Sequence, residues 1–473
     1  MNKDSKVILI QACKQGSLTD SYKDQYPYPP LGLISLSNVL KMNGYDSELF
    51  DLYLQSINKT GLIEKLKEMN YPLLIGISSY TDSIEVACNI ARLCKEIFPK
   101  TKILLGGAHV TFMYKEVMEN CEYIDFCCIG EGEGLIVELI EHIKNSTLKI
   151  ESIKNLVYRN LNGNIIKNNR RGYLTEMDTL PFPDFTQEML DMMKKKNNIV
   201  IISSKGCPGG CIFCASRGLS GATYRCHSAE WLISYLYYYH KIYHFGSYSF
   251  LDDTFTADKV RLKKFVNYAH QLKFYLPFIC KSRADVISED ISNDLESINC
   301  VSVHIGVESG DDDVLKCINK KITLNDVYNA IKFLAFNSIR VECTFILGHP
   351  QDTKETLEKT LILANMLNHT EFTTSVIGVC TPFPGTVLWA KQNEYDMKFV
   401  INRWTQYNLV TPIFYTNNFC IDDLKKAYYF FNMVDSKYQM PNITDTDYSD
   451  FIREIDAIFT EVAKNKELRK VKI

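Results

Sequence analysis

Residues 199–214 read IVIISSKGCPGGCIFC, a short apolar run followed at once by a glycine-rich loop carrying three thiols. Ile199–Ser203 has the composition of a buried strand. Cys207, Cys211 and Cys214 lie four and three residues apart, close enough to fold around one metal centre. Zinc sites usually take four N or S ligands, and no second C-x-x-C pair follows to complete one. A cubane iron–sulfur cluster held by three thiolates leaves one iron open to a substrate. Gly206, Gly209 and Gly210 lack a Cβ, which lets the backbone wrap tightly and turn N–H groups toward the sulfurs.

Around this stretch, strand and helix patterns alternate six times between about 197 and 380. The strands are Ile199–Ser203, Tyr248–Leu251, Pro277–Cys280, Val301–Val307, Val341–Leu347 and Phe372–Val379. Helical patterns fall near 228–243, 258–273, 288–298, 323–337 and 354–368. Six such units do not close an eight-stranded barrel, so a partial barrel over 193–390 is expected, with its chemistry at the C-terminal ends of the strands. The cysteine loop follows the first strand, at that end.

Upstream, Val7–Gln11, Ser47–Tyr53, Leu73–Ser79, Ile103–Gly107 and Tyr123–Ile129 read as strands, with helices near 31–43, 82–98 and 134–145. This rhythm predicts an α/β domain over 1–148, a doubly wound parallel sheet with its ligand site beyond the carboxyl ends of the strands. Residues 149–192 read as a hairpin around Asn162-Gly163 and a linker containing Leu180-Pro181-Phe182-Pro183-Asp184. Residues 391–473 are expected to form a mainly helical tail that caps the open barrel and shapes a substrate entrance.

The chain has 473 residues, enough for two or three domains, and 46% of them are hydrophobic. A net charge of −3 gives no electrostatic reason to expect nucleic acid. No apolar run is long enough for a membrane span. The start MNKDSKVILIQ lacks a secretory apolar region, and sixteen cysteines without a disulfide spacing suit a reducing cytoplasm.

The pattern C-x3-C-x2-C, with Phe213 before the last cysteine, resembles the signature of radical S-adenosylmethionine (SAM) enzymes. From roughly residue 5 to residue 390 the chain is similar to the cobalamin-binding subgroup of that superfamily. The pieces carrying this likeness are PPLGL at 29–33, ISSYT at 77–81, LGGAHVT at 105–111 and EGEG at 131–134. The resemblance implies a [4Fe–4S] cluster on the three cysteines, SAM on its open iron, and cobalamin on the first domain. It implies SAM contacts from Phe213, Asp252, Asp253, Ser282, Arg283, Glu308 and Gly348. Cobalamin contacts would come from Ser78, Thr81, Gly106, Gly107, His109, Glu131 and Gly132. Arg283 suits a carboxylate because its guanidinium donates a paired fork of hydrogen bonds. For each polar residue the alternative is a salt bridge or a helix cap.

Two departures from the family matter. Asp252-Asp253-Thr254 stands where many relatives carry Gly-Gly-Glu, which leaves the group binding the SAM amine open. None of the nine histidines sits in an Asp-x-His-x-x-Gly setting, so cobalt is expected to lack an imidazole from the protein. The activity implied is methylation of an unactivated carbon, or of a phosphinate phosphorus, through a 5′-deoxyadenosyl radical and methylcobalamin. Cobalamin-dependent ring closure or rearrangement without methyl transfer is the alternative, and a non-catalytic cobalamin or SAM sensor is another. The expected partners are a small-molecule or peptide substrate and a reductant such as flavodoxin or ferredoxin. Cys380 reads as a core cysteine and Tyr235–Tyr239 as a helix face.

Overall fold

The computed structural model describes residues 6–13, 28–145, 148–368, 370–401 and 403–433. Two sheets organise them. In the first, β1 (Val7–Gln11) lies between β2 (Ser47–Asp51) and β3 (Leu74–Ser78), and β4 (Lys102–Gly106) and β5 (Phe126–Cys128) continue outward, all parallel. β1 and β3 are apolar at nearly every position because helices cover both faces. On one face α1 (Leu31–Met42) and α5 (Glu133–Asn145) share a core with Val7 and Leu9. On the other, α2 (Lys59–Lys67), α3 (Ile84–Ile97) and α4 (Ala108–Asn120) enclose Ile8 and Ile10.

The hairpin strands β6 (Leu156–Arg159) and β7 (Ile165–Lys167) turn at Gly163, which has φ +78°. They pair antiparallel onto β5, so the first sheet has seven strands and runs past residue 148. Pairing there covers an edge that three-residue β5 would otherwise expose. Within the stretch read as linker, α6 (Gln187–Lys195) forms, capped by the Thr186 side chain and burying Met189, Leu190 and Met193. The prolines before it obscure that helix in the sequence.

The second sheet is the partial barrel. Its strands β8 (Asn198–Ile201), β11 (Ser247–Phe250), β12 (Phe278–Ser282), β13 (Cys300–Glu308), β14 (Arg340–Leu347) and β15 (Thr373–Val379) lie side by side in chain order, all parallel. β8 and β15 are its two edges, so the barrel is open. After β8 a two-stranded ribbon, β9 (Ser204–Lys205) with β10 (Arg225–Cys226), frames the cysteine loop and the short helix α7 (Ser216–Ser220). The outer helices are α8 (Ala229–Tyr243), α9 (Lys259–Leu272), α10 (Glu289–Ser297), α11 (Asp312–Cys317), α12 (Leu324–Phe336) and α13 (Lys354–Asn368). Side chains of Ser228, Asp258, Ser288, Asp311 and Thr323 accept from backbone N–H groups at five of these helix starts.

Strand alternation fixes what faces the lumen. Val303, Ile305 and Val307 of β13, and Val341, Cys343, Phe345 and Leu347 of β14, are buried under the helices. Ser302, His304, Gly306, Glu342, Thr344 and Ile346 alternate with them on the concave face and stay partly exposed. Tyr235 and Tyr239 are buried on α8, and Cys380 is core, as the sequence suggests.

Beyond the barrel, Trp389 lies in the single-turn helix α14 (Val387–Ala390) and Trp404 in a 3-10 turn. Between and after them β16 (Lys398–Phe399) pairs with β17 (Phe414–Tyr415), and α15 (Ile421–Met433) packs on α13, β14 and β15. The rest of the expected tail lies outside the described residues. No helix among those described is long and apolar enough to cross a membrane.

Candidate functional site

The cysteine loop is strapped on both sides. Ile212 N–H donates to Ile318 O (3.0 Å), Leu388 N–H donates to Ile212 O (3.0 Å), and Asn319 Nδ2 donates to Gly210 O (2.7 Å). Inside the loop, Gly209 N–H lies 3.4 Å from Cys207 Sγ, and Ser216 N–H lies 3.4 Å from Cys214 Sγ. A Cβ added at Gly209 would sit 3.3 Å from Cys207 Sγ, 3.9 Å from Cys211 Sγ and 3.2 Å from Arg283 Nη1, filling the space between the sulfurs. Burial pushes the Cys211 thiol up and Cys214 to about 11. Neither is an activated nucleophile, and a bound metal would be what strips their protons. Among the described residues no three His, Cys, Asp or Glu side chains converge on a single ion. A cubane suits such a splayed set, because each thiolate binds a different iron.

The strand-end residues divide into spent and available groups. Asp252, wholly buried, accepts from Ser203 N and Oγ and from Ser204 Oγ, each at 2.6 Å. Its carboxylate is thereby occupied in bracing the strand-end turn. Asp253 instead accepts from Ser216 Oγ, two residues past Cys214. Ser282 is buried against Thr256 Oγ1 (2.6 Å). The fork of Arg283, read as suited to a carboxylate of SAM, is held by Asp285 (2.9 and 3.1 Å) and Lys320 O (2.8 Å), leaving Nη1 toward Gly209. Glu308 stands at φ +74° with its carboxylate 2.5 Å from Lys320 Nζ. Phe213 rests on the ring of His349 (5.4 Å between centroids), beside Gly348 at φ +83°. His349 is fully buried, both ring nitrogens lack a hydrogen-bond partner, and burial drops its pKa to about 3.

Lys320 was not legible in the sequence. It sits twelve residues after Glu308 in a stretch without a motif, and only the turn of α11 brings it back over the loop. Its ammonium and the Arg283 guanidinium both pull the Cys211 thiol down against the larger effect of burial.

A cavity of ≈ 380 Å³ opens beyond β3, β4 and β5 and continues under the sheet to Leu9, Gly76 and Leu104. Ser78, Gly106, Gly107, Glu131 and Gly132 line it, as do Ile202, Leu251 and Asp253 at the barrel's strand ends. Gly107 holds φ +109°, and a Cβ there would meet Ser79 O at 2.1 Å, so only glycine fits. A second cavity of ≈ 330 Å³ shares Gly32, Leu33, Ser78, Ile202 and Leu251 with the first. Thr81 and His109 do not line either cavity. They pair with each other (3.3 Å) and pack beneath Trp404, whose ring centroid is 4.7 Å from that of His109. Their positions two or more residues past the strand ends carry them under the C-terminal segment instead.

Charge closes the wall between the domains. Glu131 accepts from Arg225 Nη2 (2.9 Å) and Leu174 N (3.0 Å), and Glu133 accepts from Lys205 Nζ (3.0 Å) and Ser35 Oγ (3.2 Å). Burial alone would lower Lys205, but the carboxylates of Glu133 and Glu131 hold it above the usual lysine value. Lys205 precedes the cysteine loop by two residues, so the loop's base is tied to the first domain.

Residues 23–140 match the family model of the B12 binding domain, and residues 201–364 match that of the Radical SAM superfamily. An uncharacterized methyltransferase of Pyrococcus horikoshii is 29% identical over 84% of this chain and 85% of its own length. The anaerobic magnesium-protoporphyrin IX monomethyl ester cyclase of Cereibacter sphaeroides is 26% identical over 82% of this chain and 63% of its own. Among solved structures, the radical S-adenosylmethionine methyltransferase TsrM of Kitasatospora setae, with cobalamin and a [4Fe–4S] cluster bound, has the same fold. It aligns at TM-score 0.74 over 98% of this chain and all of that one, at 13% identity.

Proposed function

We propose that this chain, whose residues 23–140 and 201–364 match the B12 binding domain and the Radical SAM superfamily, uses a [4Fe–4S] cluster, SAM and cobalamin to methylate an unactivated carbon, or a phosphinate phosphorus. One observation carries the reading. The cavity cradled by Gly106 and Gly107 ends at Asp253, whose carboxylate is bonded to Ser216 beside Cys214. When bound, the cluster supplies the electron that splits the SAM sulfonium and cobalamin supplies the methyl group.

The chain's own groups orient these parts. Cys207, Cys211 and Cys214 would hold three irons, while Gly209 keeps the space between two of the sulfurs clear. Lys320 and Arg283 Nη1 offer positive charge beside the loop for the SAM carboxylate, and Asp253 offers an acceptor for its amine. Glu308, steadied by Lys320, would accept from ribose hydroxyls, and Phe213 with Gly348 would flank the adenine. Ser78, Gly106, Gly107, Glu131 and Gly132 would hold cobalamin. Asp252, bonded to Ser203 and Ser204, would support these groups from behind. A reductant of the flavodoxin or ferredoxin kind would reduce the cluster.

Anaerobic protein given SAM labelled in its methyl group, a reductant and a small-molecule extract tests the reading. Label should appear in an acceptor that gains one methylene equivalent in mass, together with 5′-deoxyadenosine. The relative named as a cyclase motivates a second reading, ring closure without methyl transfer. A product of unchanged carbon count made at the expense of SAM would favour it and overturn methylation.

A further inference from the structure

The lumen holds a row of polar side chains just below the cysteine loop that the roles above leave unused. Lys281 of β12, His304 of β13, Glu342 of β14 and Thr374 of β15 stand directly opposite one another in strand register. Their neighbours along each strand are buried under the outer helices: Cys280 and Ser282, Val303 and Ile305, Val341 and Cys343. By alternation the four side chains share the concave face. They are also reachable, since Lys281 is exposed and the His304 and Glu342 side chains are 28% and 34% exposed.

Their height in the lumen matters most. Lys281 precedes Arg283 by two residues, about 7 Å of strand. His304 precedes Gly306 by the same step, and a Cβ on Gly306 would meet Glu308 Oε1 at 2.3 Å and Lys320 Nζ at 2.7 Å. The row therefore lies one layer beneath the groups that flank the cluster loop. A molecule anchored on it would present its next few atoms to that loop.

The chemistry of the row is mixed. His304 Nδ1 and Glu342 Oε1 are 3.2 Å apart, so the imidazole and the carboxylate stand side by side on this face. Burial and the Lys281 ammonium keep this imidazole below its usual pKa, against the pull of Glu342, which fits the neutral form. Lys281 has no carboxylate partner in an ion pair among the described residues. Among the described residues, an ammonium without an ion-pair partner thus stands beside an imidazole and a carboxylate. A doubly charged phosphate would be repelled by Glu342. A carboxylate with a hydroxyl, amide or ammonium donor close by satisfies all three groups.

We propose that Lys281, His304 and Glu342 form the floor of the substrate site and recognise a carboxylate paired with a neighbouring hydrogen-bond donor, as in amino-acid, peptide-terminal or hydroxy-acid substrates. This rests on the radical SAM reading of the site and deepens it. It separates such substrates from neutral lipids, which would leave the row unpaired in the lumen.

The test uses anaerobic holoprotein incubated with a small-molecule extract, freed of unbound molecules by gel filtration and analysed by mass spectrometry. The wild type should retain a carboxylate-bearing molecule. Lys281→Met should retain at least tenfold less, Lys281→Arg should restore retention, and Glu342→Gln should weaken it. All variants should cleave SAM to 5′-deoxyadenosine at the wild-type rate when no extract is added. Retention of only neutral or phosphate-bearing molecules, retention of nothing, or equal retention by Lys281→Met would overturn the floor. Loss of SAM cleavage by the wild type itself would strike the underlying functional reading instead.

Discussion

Lys320 Nζ lies 2.5 Å from Glu308 Oε1, both heads are buried, and the space they fill exists because residue 306 is glycine. Glu308 pays for this pairing with a left-handed backbone, φ +74°, that glutamate rarely adopts. Lys320→Met should leave a buried, unpaired carboxylate and lower stability by about 3–5 kcal/mol. The double variant Lys320→Met with Glu308→Gln should recover much of that loss in thermal unfolding. SAM affinity, followed by equilibrium dialysis, should stay low in both. Wild-type SAM affinity in the double variant would show that the pair only supports the fold.

Gly107→Ala tests the cradle of the first domain. The new Cβ would collide with Ser79 O at 2.1 Å in a backbone region hostile to alanine. A destabilisation of more than about 1 kcal/mol is expected. Cobalamin retained after gel filtration, read from its visible absorbance, should fall sharply while iron content per chain holds.

Arg225→Ala should loosen the joint between the domains. It removes hydrogen bonds to Glu131 (2.9 Å) and Leu174 O (2.7 Å), and the remaining Lys205 stands 3.6 Å from Glu131. A loss of about 1–3 kcal/mol is expected for charged hydrogen bonds of this kind. Limited proteolysis should cut faster between residues 168 and 185 than in the wild type.

His109 sets part of the acid limit. Buried under Trp404, with Nε2 unpartnered, its imidazole drops to a pKa of about 4. The unfolded chain takes up the proton near pH 6.5, before the folded one does. Stability from this residue is therefore complete above about pH 6.5 and falls as pH drops toward 4, by at most about 3 kcal/mol. His109→Phe keeps a ring against Trp404 and should flatten that part of the stability–pH curve, followed by tryptophan fluorescence in urea. An unchanged slope would contradict the assignment.

β1 and β3 were legible because each is a short, nearly continuous apolar run, and β1 (Val7–Gln11) matches its expected bounds at both ends. α4 was missed because AHVTFMYKEVMEN has a weak apolar stripe and a kink at Met113. The cysteines and the glycines beside them were legible because spacing alone brings them together. Lys205, Glu133, Arg225 and Lys320 were not, since long-range pairing places them and nothing local in the sequence records it. Asp252 and Arg283 carried the right chemistry at the right strand ends. Their partners, Ser203, Ser204 and Asp285, decide that both are largely spent on structure.

On the proposed function, three thiols hold a cluster with an open iron where SAM is reductively split. Anaerobic reconstitution, with iron and acid-labile sulfide counted against 5′-deoxyadenosine formed, measures it most directly. About four irons and four sulfides per chain, SAM cleavage in the wild type, and neither in the Cys207→Ala, Cys211→Ala, Cys214→Ala triple variant are predicted. Zinc in place of iron, absence of sulfide, or 5′-deoxyadenosine from the triple variant would contradict it.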